Sequence, residues 1–269
     1  MTEATSLCPV DELFSVKGKN VLVTGGGRGI GLMIASGFVA NGANVAISSR
    51  SADVCDEVAD MLSKRGPGKC LSFPADLTKE DEVAQVAKRV GDAFGGKLHA
   101  LINNSGAAWG ASFDAFPKLG FRKVLELCVD SVFFCTQKCM PLLEATASHD
   151  APATVVNIGS IDGIAVPSLS ENYSYSAAKA GVHHMSRHMA KLLADRHVTI
   201  NNVAPGPFVS KMTKEFLGND EGRETVASAV PLRRIGAPDD MAGVCIFLCS
   251  RAGRYVTGAT IKVDGGAAL

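Results

Sequence analysis

The feature that most constrains this chain is a glycine cluster between a short apolar run and an amphipathic stretch. The cluster spans Thr24–Gly31, directly after the run at Asn20–Val23. Gly25 permits a tight turn, Gly29 lets the backbone approach a pyrophosphate, and Gly31 allows a helix to pack closely on a sheet. The start of that helix, with Ile30 inside the cluster, presents free N–H groups that favour phosphate. The pattern predicts a dinucleotide-binding strand–loop–helix unit.

Apolar runs alternate with amphipathic stretches along the chain. The runs are short and rich in Val and Ile, as expected of parallel strands that are covered on both faces. The predicted strands are Asn20–Val23, Asn44–Ser48, Cys70–Phe73, Leu98–Ile102, Thr154–Ile158, Thr199–Val203 and Thr260–Val263. The predicted helices are one ending near Ala40, Val54–Arg65, Glu80–Phe94, Gly120–Glu144, Tyr175–Arg196 and Met241–Ser250.

This alternation predicts an α/β fold with a doubly wound, seven-stranded parallel sheet. Residues 1–269 are expected to form a single Rossmann-like, NADP(H)-binding domain, because no break in composition separates two parts. The long, glycine-interrupted connection around 205–230 is predicted to be a substrate flap over the pocket.

Composition excludes several classes of partner. The formal net charge is zero and the pI is about 7.0, so long-range charge favours neither nucleic acid nor an anionic membrane. No apolar run is long enough to span a bilayer, and Met1–Ser15 lacks a secretory signal, which predicts a cytoplasmic protein. The eight cysteines are scattered without a CxxC pair, so we expect reduced thiols and no metal site.

The end of the second predicted strand indicates which dinucleotide is bound. It ends in Ser48, Ser49 and Arg50, without the acid that takes a ribose 2′-hydroxyl. Arg28 lies inside the glycine cluster, and arginine forks match phosphate geometry. Either arginine alone is equally well explained as a solvated surface charge, but the two together favour NADP(H).

A tyrosine–lysine pair opens a long predicted helix. Tyr175 and Lys179 are four residues apart and share one helical face, and an ammonium near a phenol favours the phenolate. Tyr175 is therefore the candidate general acid and base, in preference to Tyr173, which lies off that face. Ser160 follows the fifth strand, where open α/β sheets build their sites, and its hydroxyl is expected to hold the substrate oxygen.

Together these motifs resemble the short-chain dehydrogenases/reductases over nearly the whole chain. Further matches are Asp76-Leu77, Asn103-Asn104-Ser105-Gly106, Pro205-Gly206 and Val263-Asp264-Gly265-Gly266. The resemblance implies that Asp76 and Leu77 contact the adenine, that Lys179 also binds the nicotinamide ribose, and that Ser210 contacts the carboxamide. It also implies that Ser49, Asn103, Pro205 and Gly206 belong to the cofactor site, and that the protein forms a homodimer or homotetramer. Within the family, the segment Ile158-Gly159-Ser160 resembles the corresponding segment of β-ketoacyl reductases, including the rhamnolipid-pathway type.

Two positions depart from the family pattern. Cys128 stands where the family has an asparagine that contributes to catalysis, so its backbone carbonyl is kept and the amide is lost. Asp162 either faces the pocket, where it would pair with a cationic or N–H-rich substrate, or simply belongs to an Asp-Gly turn. His183, His184 and His188 are expected at the helix surface or an interface.

The leading function is NADPH-dependent reduction of a small-molecule carbonyl, such as a β-ketoacyl compound or a secondary-metabolite ketone. The alternative is a biosynthetic enzyme that keeps NADPH but acts on an imine or iminium or guides a cyclisation, as Cys128 and Asp162 suggest. A cofactor-binding scaffold without catalysis is a third possibility, against which Ser160, Tyr175 and Lys179 argue.

Overall fold

The computed structural model describes residues 8–167 and 171–269. The segment Met1–Ser15, on which the predicted cytoplasmic location rests, lies partly outside the described residues. Seven parallel strands form one sheet in the order β3-β2-β1-β4-β5-β6-β7. They are β1 Asn20–Thr24, β2 Asn44–Ser48, β3 Lys69–Ser72, β4 Ala100–Asn103, β5 Ala153–Ile158, β6 Val198–Pro205 and β7 Thr260–Val263. The doubly wound sheet predicted from the sequence is confirmed.

The helices lie on both faces of this sheet. They are α1 Val10–Leu13, α2 Gly29–Ala40, α3 Ala52–Arg65, α4 Glu80–Ala93, α5 Lys118–Leu125, α6 Ser131–Glu144, α7 Tyr173–Leu192, α8 Lys214–Leu217, α9 Asp220–Ala229 and α10 Pro238–Cys249. Successive strand residues point to opposite faces, so Val21 and Val23 pack with α2, α3 and α10, whereas Leu22 packs with α4, α6 and α7. The two cores explain why nearly every residue of the central strands β1, β4, β5 and β6 is buried.

The predicted helix Gly120–Glu144 differs from the observed structure. The helix begins at Lys118, and a single π-helical turn, Glu126–Asp130, separates α5 from α6. The Ser131 hydroxyl donates a 2.6 Å hydrogen bond to the carbonyl of Leu127 within this turn. Apolar periodicity in the sequence does not reveal this turn, because it spans only five residues and the apolar pattern continues on both sides of it.

A band of buried amides crosses the sheet just before the strands end. Asn103, Asn157 and Asn202 occupy the same register in β4, β5 and β6. Asn103 Nδ2 donates to Asn157 Oδ1 at 2.9 Å, and Asn157 Nδ2 donates to the Ser186 hydroxyl of α7 at 2.8 Å. These bonds fix α7 against the carboxyl end of β5, where the candidate site begins. Among the described residues, no helix is long and apolar enough to cross a membrane.

Candidate active site

The glycine loop is held open by contacts with the segment after β4. Gly25 and Gly29 have φ values of 67° and 52°, which favour glycine. A Cβ atom added at Gly31 would overlap the Gly25 carbonyl oxygen, so the helix start can lie this close to the loop only as glycine. Asn104 donates from Nδ2 to the carbonyls of Thr24 and Gly25 at 2.9 and 3.3 Å.

Asn104 is a functional residue whose role the sequence analysis missed. Its backbone N–H and that of Ser105 both donate to the Thr24 hydroxyl, at 2.9 and 3.0 Å. Because these bonds join residues about 80 positions apart, the glycine loop is shaped by β4 as well as by its own sequence. In the sequence, the Asn103–Gly106 motif is the feature that points to this position.

The two arginines expected to read the 2′-phosphate lie at one corner, where β2 ends. The exposed Arg28 guanidinium donates to the Ser51 hydroxyl at 3.4 Å, next to Arg50. Burial works to raise the pKa of Asp76, but hydrogen bonds from Thr78 and the charge of Arg50 outweigh it, and the pKa is lowered. Asp76 therefore faces the same corner as a carboxylate. A Cβ atom at Gly27 would lie 3.2 Å from Ser49 Oγ, which places Ser49 against the loop.

The remaining predicted cofactor residues lie in different surroundings. Ser210 contacts the loop, because a Cβ atom at Gly29 would lie 3.2 Å from its own Cβ. Ile30, Leu77 and Gly206 pack in or against the protein interior, and Pro205 ends β6. Asn103 is 3% exposed, and its amide bonds to Asn157 and Thr136 within the protein, so only its backbone is left to face a cofactor.

Tyr175 and Lys179 meet as their spacing predicts. The Lys179 ammonium lies 5.4 Å from the centroid of the Tyr175 ring. It donates a 2.7 Å hydrogen bond to the carbonyl of Ile158, the last residue of β5, and the side chain is buried. Helix α7 and strand β5 therefore jointly position the ammonium. Ser160 lies two residues after Ile158, whose carbonyl accepts the hydrogen bond from Lys179.

The protonation state of Tyr175 follows from its surroundings. Burial raises the pKa of Tyr175 most strongly, and Cys128 and Asp162 raise it further. The charge of Lys179 and a hydrogen bond with Ser160 lower the pKa, but the net change is upward. At neutral pH Tyr175 is therefore a phenol with a proton to donate.

Ser160 is oriented by the turn that it opens. Its hydroxyl oxygen accepts the backbone N–H of Asp162 at 3.1 Å and so caps the 3-10 turn Ile161–Gly163. Because the oxygen already accepts this bond, the Ser160 hydroxyl proton points elsewhere and can be donated to Tyr175 or a substrate oxygen.

His183 lies beneath this turn, and the expectation that it occupies the helix surface is wrong. The side chain is only 4% exposed, and a Cβ atom at Gly159 would overlap its Nε2 atom. At Gly163 a Cβ atom would lie 3.0 Å from His183 Cε1. Gly159 is thus required by this imidazole, whereas a Cβ atom at Gly163 would first meet the backbone of Lys179 and Ala180, at 2.7 Å. His184 and His188 are exposed, as expected.

Cys128 lies in the π-helical turn, fully buried beside the reacting groups. Its thiol accepts the N–H of Ala107 at 3.5 Å and donates to the carbonyl of the same residue at 3.4 Å. A Cβ atom at Gly106 would lie 3.6 Å from the Cys128 sulfur and 3.7 Å from the Lys179 nitrogen. The thiol therefore ties the loop after β4 to the helix and lines the wall nearest Lys179.

An aromatic group forms around Tyr173, at the start of α7. The rings of Phe113 and Phe116 stand edge-on to Tyr173, with centroids 5.9 and 5.7 Å away, and Phe116 contacts Phe121 at 6.1 Å. Tyr173 itself makes its contacts here and not with Lys179, which agrees with the choice of Tyr175. Over 8–167 and 171–269, no group of three potential metal-ligating side chains comes together.

Comparison with known proteins identifies the family. Residues 25–268 match the family model described as Enoyl-(Acyl carrier protein) reductase. The rhamnolipids biosynthesis 3-oxoacyl-(acyl-carrier-protein) reductase of Pseudomonas aeruginosa is 42% identical over 253 residues, which cover 94% of this chain and 97% of that protein. The 7alpha-hydroxysteroid dehydrogenase of Escherichia coli is 32% identical over 93% of this chain and 94% of its own.

A solved structure agrees with these relatives. The Pseudomonas aeruginosa RhlG/NADP active-site complex superimposes with a TM-score of 0.91 at 41% identity, covering 96% of this chain and 99% of that one. The fold, the matched family model and these relatives agree with the resemblance drawn from the motifs, and the chain belongs to the short-chain dehydrogenase/reductase family.

Proposed function

We propose that this chain is an NADPH-dependent reductase that converts a ketone, of the β-ketoacyl class or a related small molecule, into a secondary alcohol. The observation that carries the proposal is the meeting of Ser160, Tyr175 and Lys179 at the carboxyl end of β5. Relatives named 3-oxoacyl-(acyl-carrier-protein) reductases and a neighbour solved with NADP support the choice of substrate and cofactor.

The residues present fit a dinucleotide with a 2′-phosphate. The loop around Gly29 and Gly31 leaves no room for side chains, and α2 begins there with free N–H groups. Arg28 and Arg50 supply the positive charge for the 2′-phosphate at the end of β2. Ser210, packed against Gly29, is placed to contact the carboxamide.

In the proposed mechanism each side chain has a separate task. When bound, NADPH supplies the hydride that adds to the carbonyl carbon. The Tyr175 hydroxyl gives its proton to the carbonyl oxygen, and Ser160 donates a hydrogen bond to that oxygen. The Lys179 ammonium stabilises the phenolate that Tyr175 becomes, and its charge already acts on the phenol.

Cys128 has an indirect part in this mechanism. Its reciprocal bonds with Ala107 hold the loop after β4 close to Lys179, so it is a positioning residue and not a proton donor. The segment 205–230, which contains α8 and α9, is proposed to cover the bound substrate. It begins beside the glycine loop, because the Ser210 N–H donates to Thr213 while Ser210 contacts Gly29.

The test is the loss of NADPH absorbance with a panel of ketones, for the wild type and a Tyr175→Phe variant. We expect the variant to bind NADPH normally and to lose about 10²- to 10⁴-fold in kcat, because the proton donor is gone. Tyr173→Phe is the matched control on the same helix and should keep most of the activity. Full turnover of the ketones by Tyr175→Phe would contradict the mechanism. NADPH-dependent reduction of an iminium compound that survives Tyr175→Phe would favour the iminium alternative, which needs no phenolic proton.

The family resemblance also leads us to propose a homodimer or homotetramer built on α5–α6 and α7. Phe133 on α6 and Leu192 on α7 are 40% and 65% exposed, as apolar residues at a contact between copies would be in one isolated chain. Light scattering of the purified protein tests this, and a monomer at micromolar concentration would contradict it.

A further inference from the structure

The carboxylate of Asp162 lies beside the reacting groups and has no task in the mechanism above. Asp162 is the middle residue of the turn Ile161–Gly163, and its backbone N–H donates to Ser160 Oγ at 3.1 Å. This bond fixes the position of Asp162 relative to the serine that orients the substrate oxygen. Its negative charge acts on both Tyr175 and Lys179.

The Asp162 carboxylate is half-buried and has few hydrogen-bond donors. Asn172 Nδ2 donates to one of its oxygens over a long 3.3 Å, and within the described part of the chain Asp162 forms no ion pair. Lys179 donates to the Ile158 carbonyl instead. An ionised carboxylate has about four acceptor sites, and buried polar groups in native proteins normally find partners. Acceptor capacity therefore remains at this position.

Apolar residues lie close in sequence to Asp162 and to Asn172, which donates to it. Tyr173, adjacent to Asn172, contacts the aromatic rings of Phe113 and Phe116. Ile164 and Val166, which follow the turn, are 48% and 92% exposed. A hydrogen bond to a carboxylate is stronger where apolar groups exclude competing water. One acceptor among apolar surfaces is the arrangement by which binding sites discriminate between substrates of similar shape.

We propose that Asp162 determines substrate specificity by accepting a hydrogen bond from an O–H or N–H group carried close to the reacting carbonyl. The preferred substrates are ketones with an apolar body and a hydroxyl, amide or ammonium group a few bonds from the carbonyl carbon. The aromatic rings contact the apolar body, and Asp162 fixes which way the substrate lies. This inference rests on the proposed carbonyl reduction.

The experiment uses pairs of ketones that differ only in a hydroxyl or ammonium group replaced by methyl, at each of several positions along the chain. The wild type, Asp162→Asn and Asp162→Ala are compared by kcat/KM with NADPH. Asp195→Asn, which removes an exposed carboxylate beyond the end of α7, is the matched control. NADPH binding by fluorescence and the melting temperature establish that each variant is folded.

We expect the wild type to prefer the donor-bearing ketone by about 10- to 100-fold for at least one position of the donor. Asp162→Ala should abolish that preference by bringing the ratio of kcat/KM for the donor-bearing and methyl ketones to about 1, and Asp162→Asn should keep part of it. Turnover without any preference, or a preference that survives Asp162→Ala, would overturn the inference and leave carbonyl reduction standing. Intact NADPH binding without turnover of any ketone would overturn both.

Discussion

The imidazole of His183 lies directly against Gly159, so closely that a Cβ atom at Gly159 would overlap the Nε2 atom of the histidine. This contact joins the middle of α7 to the residue before Ser160. Nε2 has no hydrogen-bond partner within the described residues, which indicates that the ring serves as a packing support for the turn. Ser160 is thus positioned from below by a residue that never touches a substrate.

Gly159→Ala should destabilise the protein, because the added methyl group meets an imidazole that cannot move away. We expect the free energy of unfolding to fall by about 1–3 kcal/mol, measured by urea denaturation. Gly181→Ala is the control, since a Cβ atom at Gly181 on the same helix contacts nothing, and it should stabilise by about 0.5–1 kcal/mol. In the Gly159→Ala/His183→Ala double variant the two losses should be less than additive; full additivity would contradict the contact.

The burial of His183 also predicts a pH dependence of stability. Burial, aided by the charges of Lys179 and Arg187, lowers the pKa of His183 to about 4 from 6.5. Between these values the unfolded chain binds a proton that the folded chain does not. The contribution to stability is therefore complete above the unfolded pKa and is lost as the pH falls toward the folded pKa.

Urea denaturation at pH about 7.5 and about 5 measures this effect. His183 should account for a loss of about 2 kcal/mol at the lower pH. His183→Gln should remove that part of the pH dependence, whereas His188→Gln, at an exposed position on the same helix, should leave it unchanged. Equal pH dependence in both variants would show that His183 is not the titrating group.

The raised pKa of Tyr175 predicts different pH profiles for the two directions of the reaction. Reduction uses the phenol, which is present at neutral pH, so kcat for ketone reduction should change little between pH about 6 and 8. Oxidation of the alcohol with NADP⁺ needs the phenolate, so its rate should rise with pH. Lys179→Gln should move that rise to higher pH, because the ammonium lowers the pKa of Tyr175. An unmoved profile would contradict the pairing.

Cofactor preference should depend on the arginines at the end of β2. Arg28→Ala and Arg50→Ala should each raise the KM for NADPH by about 10- to 100-fold while changing the KM for NADH by less than about 3-fold. The reason is that only NADPH carries the 2′-phosphate that they are proposed to bind. Arg251→Ala, at an exposed turn after α10, is the control. Equal effects on both cofactors would show that the arginines act elsewhere.

Several features could be predicted from the sequence because they depend only on residues close together in the chain. The strands Asn44–Ser48 and Thr260–Val263 were predicted with their observed bounds. Asn44–Ser48 is a clear case, because a buried parallel strand has a largely continuous apolar run. The meeting of Tyr175 and Lys179 followed from their separation of four residues on a helix. The glycine loop was recognised because its place between a strand and a helix is itself a local pattern.

Tertiary structure decided everything that depends on residues distant in the chain. Asn104 shapes the glycine loop about 80 positions away, Cys128 holds Ala107, and His183 supports the turn that carries Ser160 and Asp162. Local preferences determine which segments become strands and helices, but the distances between those segments come from how side chains of different elements pack together. No spacing in the sequence records that packing, so the buried histidine beneath Ser160 is visible only in the folded chain.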